Sequence, residues 1–140
     1  VNDWRARLGR GQLARARALG DLGRADEALA SLDAAREMVD AEGENRFLLA
    51  SLELAAARIR SLAAPAEADY TTALAVARAN LAEANALDQA VWAEASLRSG
   101  GVDEAADAVS RLLEAGYRER DFLAACEGLT AGCGALQALQ

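Results

Sequence analysis

The chain has 140 residues, room for one domain with a sizeable core. Hydrophobic residues make up 53% of it, but alanine dominates them and aromatics are only 4%, a composition that favours closely packed helices over a β-core. The net charge is −7 with no His and no Lys, which excludes Ser-His and Cys-His nucleophilic pairs and His-type metal sites and argues against a general nucleic-acid binder.

The first helix is expected over residues 4–21, with Trp4, Leu8, Ala16 and Leu19 toward a core and Gly9 and Gly11 weakening it. A tight break at 20–24 leads to a second helix whose face is Ala25, Ala28, Leu29, Leu32, Ala35 and Val39, ending near Gly43. The third has the clearest stripe, Leu48, Leu52, Ala55, Ile59 and Leu62, in steps of four and three residues. Pro65 is expected at the first position of the fourth helix, with Glu67 and Asp69 in its first turn and Tyr70, Leu74, Ala77 and Leu81 on its stripe. A break near Asn85 precedes a fifth helix over 88–98, which uses Val91 or Trp92 with Ala95 and Leu97. The Ser99-Gly100-Gly101 turn then opens a sixth carrying Val102, Ala105, Val109, Leu112 and Leu113, which Gly116 ends. A short seventh helix spans 119–127, and Gly128, Gly132 and Gly134 mark the tail as a frayed end. No segment reads as a strand, and short breaks force neighbouring helices antiparallel.

The stretch from Leu22 to Arg36 recurs. Gly23 pairs with Gly100, Asp26 with Asp103, Glu27 with Glu104, Ala28 with Ala105, Leu32 with Val109 and Ala35 with Leu112, an offset of 77 residues, or two units of about 38. The helix pair at 44–84 fills the gap. These residues resemble the second-helix half of a tetratricopeptide repeat, over most of residues 8–116. Ala16, Leu19 and Ala93 also fit that family, whereas Gln12 stands where an aromatic is common and Ala64-Pro65 replaces the glycine turn of the middle unit. The resemblance implies an all-α fold, a right-handed α-solenoid of antiparallel helix pairs, with units at about 4–43, 44–84 and 85–116 and a capping segment over 117–140. The segment from Leu112 to Leu129 is also similar to the closing part of repeat regions appended to bacterial serine/threonine kinases. The chain itself has neither a glycine-rich phosphate loop nor a lysine.

Candidate chemistry is sparse. Asp26-Glu27 and Asp103-Glu104 are adjacent on their helices, so their side chains diverge by about 100° and cannot converge on one atom; they suit a helix first turn instead. Trp4, Trp92, Tyr70, Tyr117 and Phe122 are read as fillers of the gaps alanine leaves rather than as a ligand pocket. Ser, Thr and Tyr hydroxyls have no neighbouring base, so no enzyme is expected. Cys126 and Cys133 would lie about 10 Å apart on one helix, too far to bridge, and are expected as reduced thiols without a metal.

What remains is a surface. The resemblance implies a concave face that binds a protein or peptide, lined by Arg10, Leu13 and Arg17 from the first unit, Glu53, Ala57 and Arg60 from the second, and Ala90, Glu94 and Arg98 from the third. Arginines there would pair with partner carboxylates. The alternatives are self-association, through Phe122, Leu123, Leu129, Leu136 and Leu139, and small-molecule sensing in the groove. Residues 1–24 carry six arginines against Asp3 and Asp21, and this basic end is expected as a solvated helix face. No cofactor and no membrane span is expected, and residues 1–20 are too arginine-rich for a secretory signal, so the expected location is cytoplasmic. Val1 in place of an initiator Met fits a piece of a larger signalling or regulatory protein.

Overall fold

A computed structural model describes residues 3–39 and 46–127. Among these it contains seven α-helices and no strand: α1 (Asp3–Asp21), α2 (Ala25–Arg36), α3 (Arg46–Ala63), α4 (Thr71–Ala79), α5 (Ala86–Arg98), α6 (Val102–Glu114) and α7 (Arg120–Glu127). Consecutive helices pack as α1 on α2, α3 on α4 and α5 on α6. The odd-numbered helices also stack on one another, α1 on α3, α3 on α5 and α5 on α7.

Alanine makes this stacking possible, because a helix contacted on two sides needs small residues where neighbours approach. Helix α3 buries Leu48, Leu52, Ala55, Ala56 and Ile59 with α1 and α2, and Leu54 and Ala57 with Tyr70, Ala73 and Ala95 from the following helices. Helix α5 is covered more completely still, with every residue from Trp92 to Leu97 buried.

Three helices end the same way. At the end of α1 the Gly23 N–H donates to the Gly20 carbonyl (3.0 Å) and the Arg24 N–H to Leu19 (2.9 Å), a Schellman closure that needs a residue with positive φ. Gly23 supplies it at φ 77°. Gly100 (φ 88°) and Gly116 close α5 and α6 in the same way. The recurrence of Gly23 at Gly100 is therefore a recurrence of one backbone geometry.

The structure departs from the sequence expectations at several points. Trp4 and Leu8, expected in the core, are 55% and 48% exposed, while Ala16 and Leu19 on the same helix are buried. Pro65 opens a 3₁₀ turn, Pro65–Glu67, rather than the fourth helix. Asp69 then accepts hydrogen bonds from the Thr71 N–H and hydroxyl, and α4 starts only at Thr71. A second 3₁₀ turn, Leu81–Glu83, takes Leu81 out of α4. Leu62 lies at the exposed end of its stripe, and α2 ends at Arg36, short of its expected length. The expected stop at Gly43 and the tail readings at 128–140 lie outside the described residues.

Replacing Gly23 by alanine would place a Cβ in the left-handed region, where no neighbour crowds it but the backbone itself is strained. We expect Gly23→Ala to lower unfolding stability by about 1–2 kcal/mol, read as a shift in the urea midpoint with helical circular dichroism retained.

Candidate functional site

The stacking of α1, α3 and α5 leaves a groove of about 650 Å³ along their shared side. The middle of α1 forms one wall with Arg10, Leu13, Ala14 and Arg17; the starts of α3 and α5 contribute Phe47, Leu48 and Ser51, and Asn85, Leu87, Asp88 and Val91. Tyr117, just after α6, borders the groove beside Arg17. The lining is thus mixed, with Leu13 and Leu48 buried and Arg10, Arg17 and Asp88 carrying charge.

Local sequence explains several of these positions. Asn85 caps α5, its side-chain oxygen accepting from the Asp88 N–H at 2.9 Å, which sets where α5 begins. The Arg46 guanidinium lies 4.7 Å over the Phe47 ring and also pairs with Glu83, holding Phe47 at the groove edge. Burial pushes the Asp88 carboxyl above the usual Asp range, against the pull of Arg10. Burial and Glu119 likewise raise the Tyr117 hydroxyl, against the pull of Arg58 and Arg17. Arg10 and Arg17 themselves are exposed and make no hydrogen bond or ion pair among the described residues.

Behind the groove lies a buried ionic network. Glu94 on α5 is 1% exposed. It accepts two hydrogen bonds from Arg58 on α3, the Nε one at 2.8 Å, and a third from Arg98 Nε at 3.0 Å. Arg98 also donates to the Asp121 carbonyl (2.9 Å) and lies 5.2 Å over the Tyr70 ring. Arg58 approaches Glu119 (3.4 Å) and Asp121 (3.5 Å), and Glu119 accepts from the Phe122 N–H, capping α7. Arg120 reaches Asp21 at the end of α1 (3.0 Å). Burial opposes the charge on Arg58, but its hydrogen bond to Glu94 and the carboxylates of Glu94, Glu119 and Asp121 hold its pKa above the ordinary arginine value. Burial likewise opposes the Asp121 charge, yet Arg58 and Arg120 keep that carboxyl below its ordinary value.

These contacts divide the nine residues expected on a concave face. Arg10, Leu13 and Arg17 come together in the groove wall, with Leu13 only 8% exposed. Ala57 and Ala90 are buried in helix contacts and present nothing to solvent. Glu94 and Arg98 belong to the network. Glu53 is half-buried, bonded to Arg36 of α2 at 2.6 Å, and Arg60 is exposed outside the groove lining. Phe122, expected to bury against another copy, is instead 1% exposed within this molecule and meets Tyr117 edge to face at 5.1 Å. Leu123 is half-buried, and Leu129, Leu136 and Leu139 lie outside the described residues.

Sequence reasoning missed Phe47, Asp88 and Tyr117 in the groove and Arg58 in the network. An N-cap signature at Asn85 was available for Asp88. No local signal places Tyr117 beside Arg17, a hundred residues away.

Among the described residues, no group of three or more Cys, Asp or Glu side chains is arranged to hold a metal ion, and no helix is long and apolar enough to cross a membrane. Cys126 is buried in the core, and Cys133 lies outside the described residues. No protein-family model, curated protein or solved structure matches the chain.

Removing one member of the buried pair should be worse than removing both. Arg58→Met leaves the Glu94 carboxylate with only Arg98, and we expect a loss of about 3 kcal/mol. Arg58→Met with Glu94→Leu should lose less than Arg58→Met alone, a comparison that a double-mutant cycle by urea unfolding checks. A second expectation concerns pH. Because the folded-state pKa of Asp121 is lowered from 3.8, its contribution is present above that value and is lost as pH falls below it. Acid unfolding between about pH 5 and pH 2 should therefore be shallower in Asp121→Asn than in the parent protein.

Proposed function

We propose that this chain is a noncatalytic protein-binding module, a right-handed α-solenoid of tetratricopeptide-like helix pairs. It takes an acidic segment of a partner protein in the groove between α1, α3 and α5. The reading is carried by one observation: Arg10 and Arg17, exposed and without an ion pair among the described residues, line one wall of an open groove that also holds Leu13, Leu48 and Val91. Most other arginines of the chain have partners, such as Arg24 with Glu27, Arg36 with Glu53 and Arg78 with Glu104. Two exposed guanidiniums two turns apart on one helix suit carboxylates spaced along a peptide, and Leu13, Leu48 and Val91 suit an apolar side chain between them.

The fold supports the same reading. Stacking of alternate helices α1, α3, α5 and α7, with α2, α4 and α6 each packed beside the helix before it or after it, suits a helical array, and the Arg120–Asp21 pair joins its two ends. Arrays of this kind present an extended concave surface on their inner helices. The resemblance of the closing segment to kinase-appended repeats supports reading such a module as part of a larger bacterial signalling or regulatory protein, with any catalytic part outside this chain.

An array of synthetic acidic 12-residue peptides, each with apolar side chains between its carboxylates, tests the reading. We expect the protein to retain a subset of them. Arg10→Glu with Arg17→Glu should weaken that retention by about 10-fold or more while leaving helical circular dichroism unchanged. No retention at all, or retention indifferent to the double substitution, overturns the assignment.

A further inference from the structure

Helix α1 has two packing faces, and the described residues cover only one. Ala6, Gly9, Leu13 and Ala16 line the buried side, in steps of three and four residues. Trp4, Leu8, Gly11, Arg15, Ala18 and Leu22 form a second stripe in steps of four and three, rotated roughly 150° from the first, and all six are exposed. Trp4, Leu8 and Leu22 are 55%, 48% and 70% exposed, three of the five large apolar side chains exposed among the described residues. Steps of four and three residues keep a seam aligned along a helix, the pattern that packs one helix against another.

Glycine content separates the two faces. At Gly9 an added Cβ would come within 2.9 Å of Leu48 Cδ2, so internal packing accounts for it. At Gly11 an added Cβ would meet nothing within 4 Å, so no packing among the described residues accounts for a residue that costs the helix about 1 kcal/mol relative to alanine. On the outer stripe Gly11 and Ala18 leave hollows between the larger Trp4, Leu8 and Leu22, a surface of knobs and gaps.

Charge selects the occupant. Arg5, Arg7 and Arg15 lie on or beside this stripe and pair with no carboxylate among the described residues; Arg5 rests 5.3 Å over the Trp4 ring. Between Asp3 and Asp21 the helix has five arginines and no acid. Two copies meeting through this face would bring both sets of arginines together, which like-charge repulsion opposes. An anionic lipid surface would also attract these arginines, but it has no side chains to seat in the hollows at Gly11 and Ala18.

We propose that the outer face of α1 docks an amphipathic helix of a partner protein, with an apolar seam that fills the hollows at Gly11 and Ala18 and acidic residues that flank it. The surface is separate from the groove, since Arg10 and Arg17 lie on a different side of the same helix.

The probe is a fluorescein-labelled designed helix of about 28 residues, long enough to be helical alone, with a Leu/Ala seam in four-three spacing and Glu on both flanks. A second probe replaces every flanking Glu by Arg. Fluorescence anisotropy should show the acidic probe binding and the basic probe not binding. Trp4→Ser with Leu8→Ser, both exposed positions, should weaken binding about 10-fold or more, as should raising salt from roughly 50 to roughly 500 mM. Phe47→Ser with Leu87→Ser, uncharged groove positions on α3 and α5, should change it by no more than about twofold. Equal binding of both probes, or no binding, overturns the proposal. Loss in the groove variant alone also overturns it, by moving the site to the groove and leaving the groove reading intact. Sensitivity to Trp4→Ser with Leu8→Ser in binding to anionic phosphatidylserine vesicles, or in concentration-dependent sedimentation without probe, overturns it in favour of a membrane or a second copy.

Discussion

The Arg58–Glu94 pair is the constraint around which the latter half of the molecule is arranged. Glu94 is enclosed in α5, where an isolated carboxylate would carry a large desolvation penalty, and it is tolerable only because Arg58 and Arg98 both reach it. That requirement sets the approach of α3 to α5, since Nε and Nη2 of Arg58 must both meet one carboxylate. It also positions α7. Arg98 holds the Asp121 carbonyl, Arg58 faces the Glu119 and Asp121 side chains, and Glu119 caps the helix. A pair of this kind contributes specificity of arrangement more than net stability, because a well-packed apolar replacement of both partners is often as stable.

Alanine acts on the same geometry from the other direction. With Ala55, Ala57, Ala90, Ala93 and Ala95 at the helix contacts, α3 and α5 approach their neighbours on two sides, and the few large side chains occupy the remaining gaps. Phe122 and Tyr117 fill one such gap at the start of α7, which brings Tyr117 to the groove. The groove is thus a by-product of close stacking: three helices share one side, and Arg10 and Arg17, among the arginines without an ion pair in the described residues, line it.

Helix α1 carries apolar residues on two sides, and the described residues cover only one of them. Reading Trp4 and Leu8 as core residues follows from their spacing, and the spacing is real; what it does not contain is which face of α1 meets α2 and α3. Gly9 decides that. Its missing side chain admits Leu48, so the face containing Gly9 turns inward and the face containing Trp4 turns out.

Local information was enough for much of the chain. Helix positions follow from alanine content and apolar spacing, the turns at Gly23 and Gly100 from a backbone that only glycine adopts without strain, and the start of α5 from the side chain of Asn85. Each of these effects acts within a few residues. Only the tertiary structure decided that Pro65 would open a short 3₁₀ turn and leave the next helix to start after Asp69, that Glu94 would be buried rather than exposed, and that Tyr117 would line one groove with Arg17. Periodicity identifies a face that wants to be covered, but not its cover. Partners 36 residues apart, like Arg58 and Glu94, are set by how closely whole helices approach and at what register, and that depends on every contact between them at once.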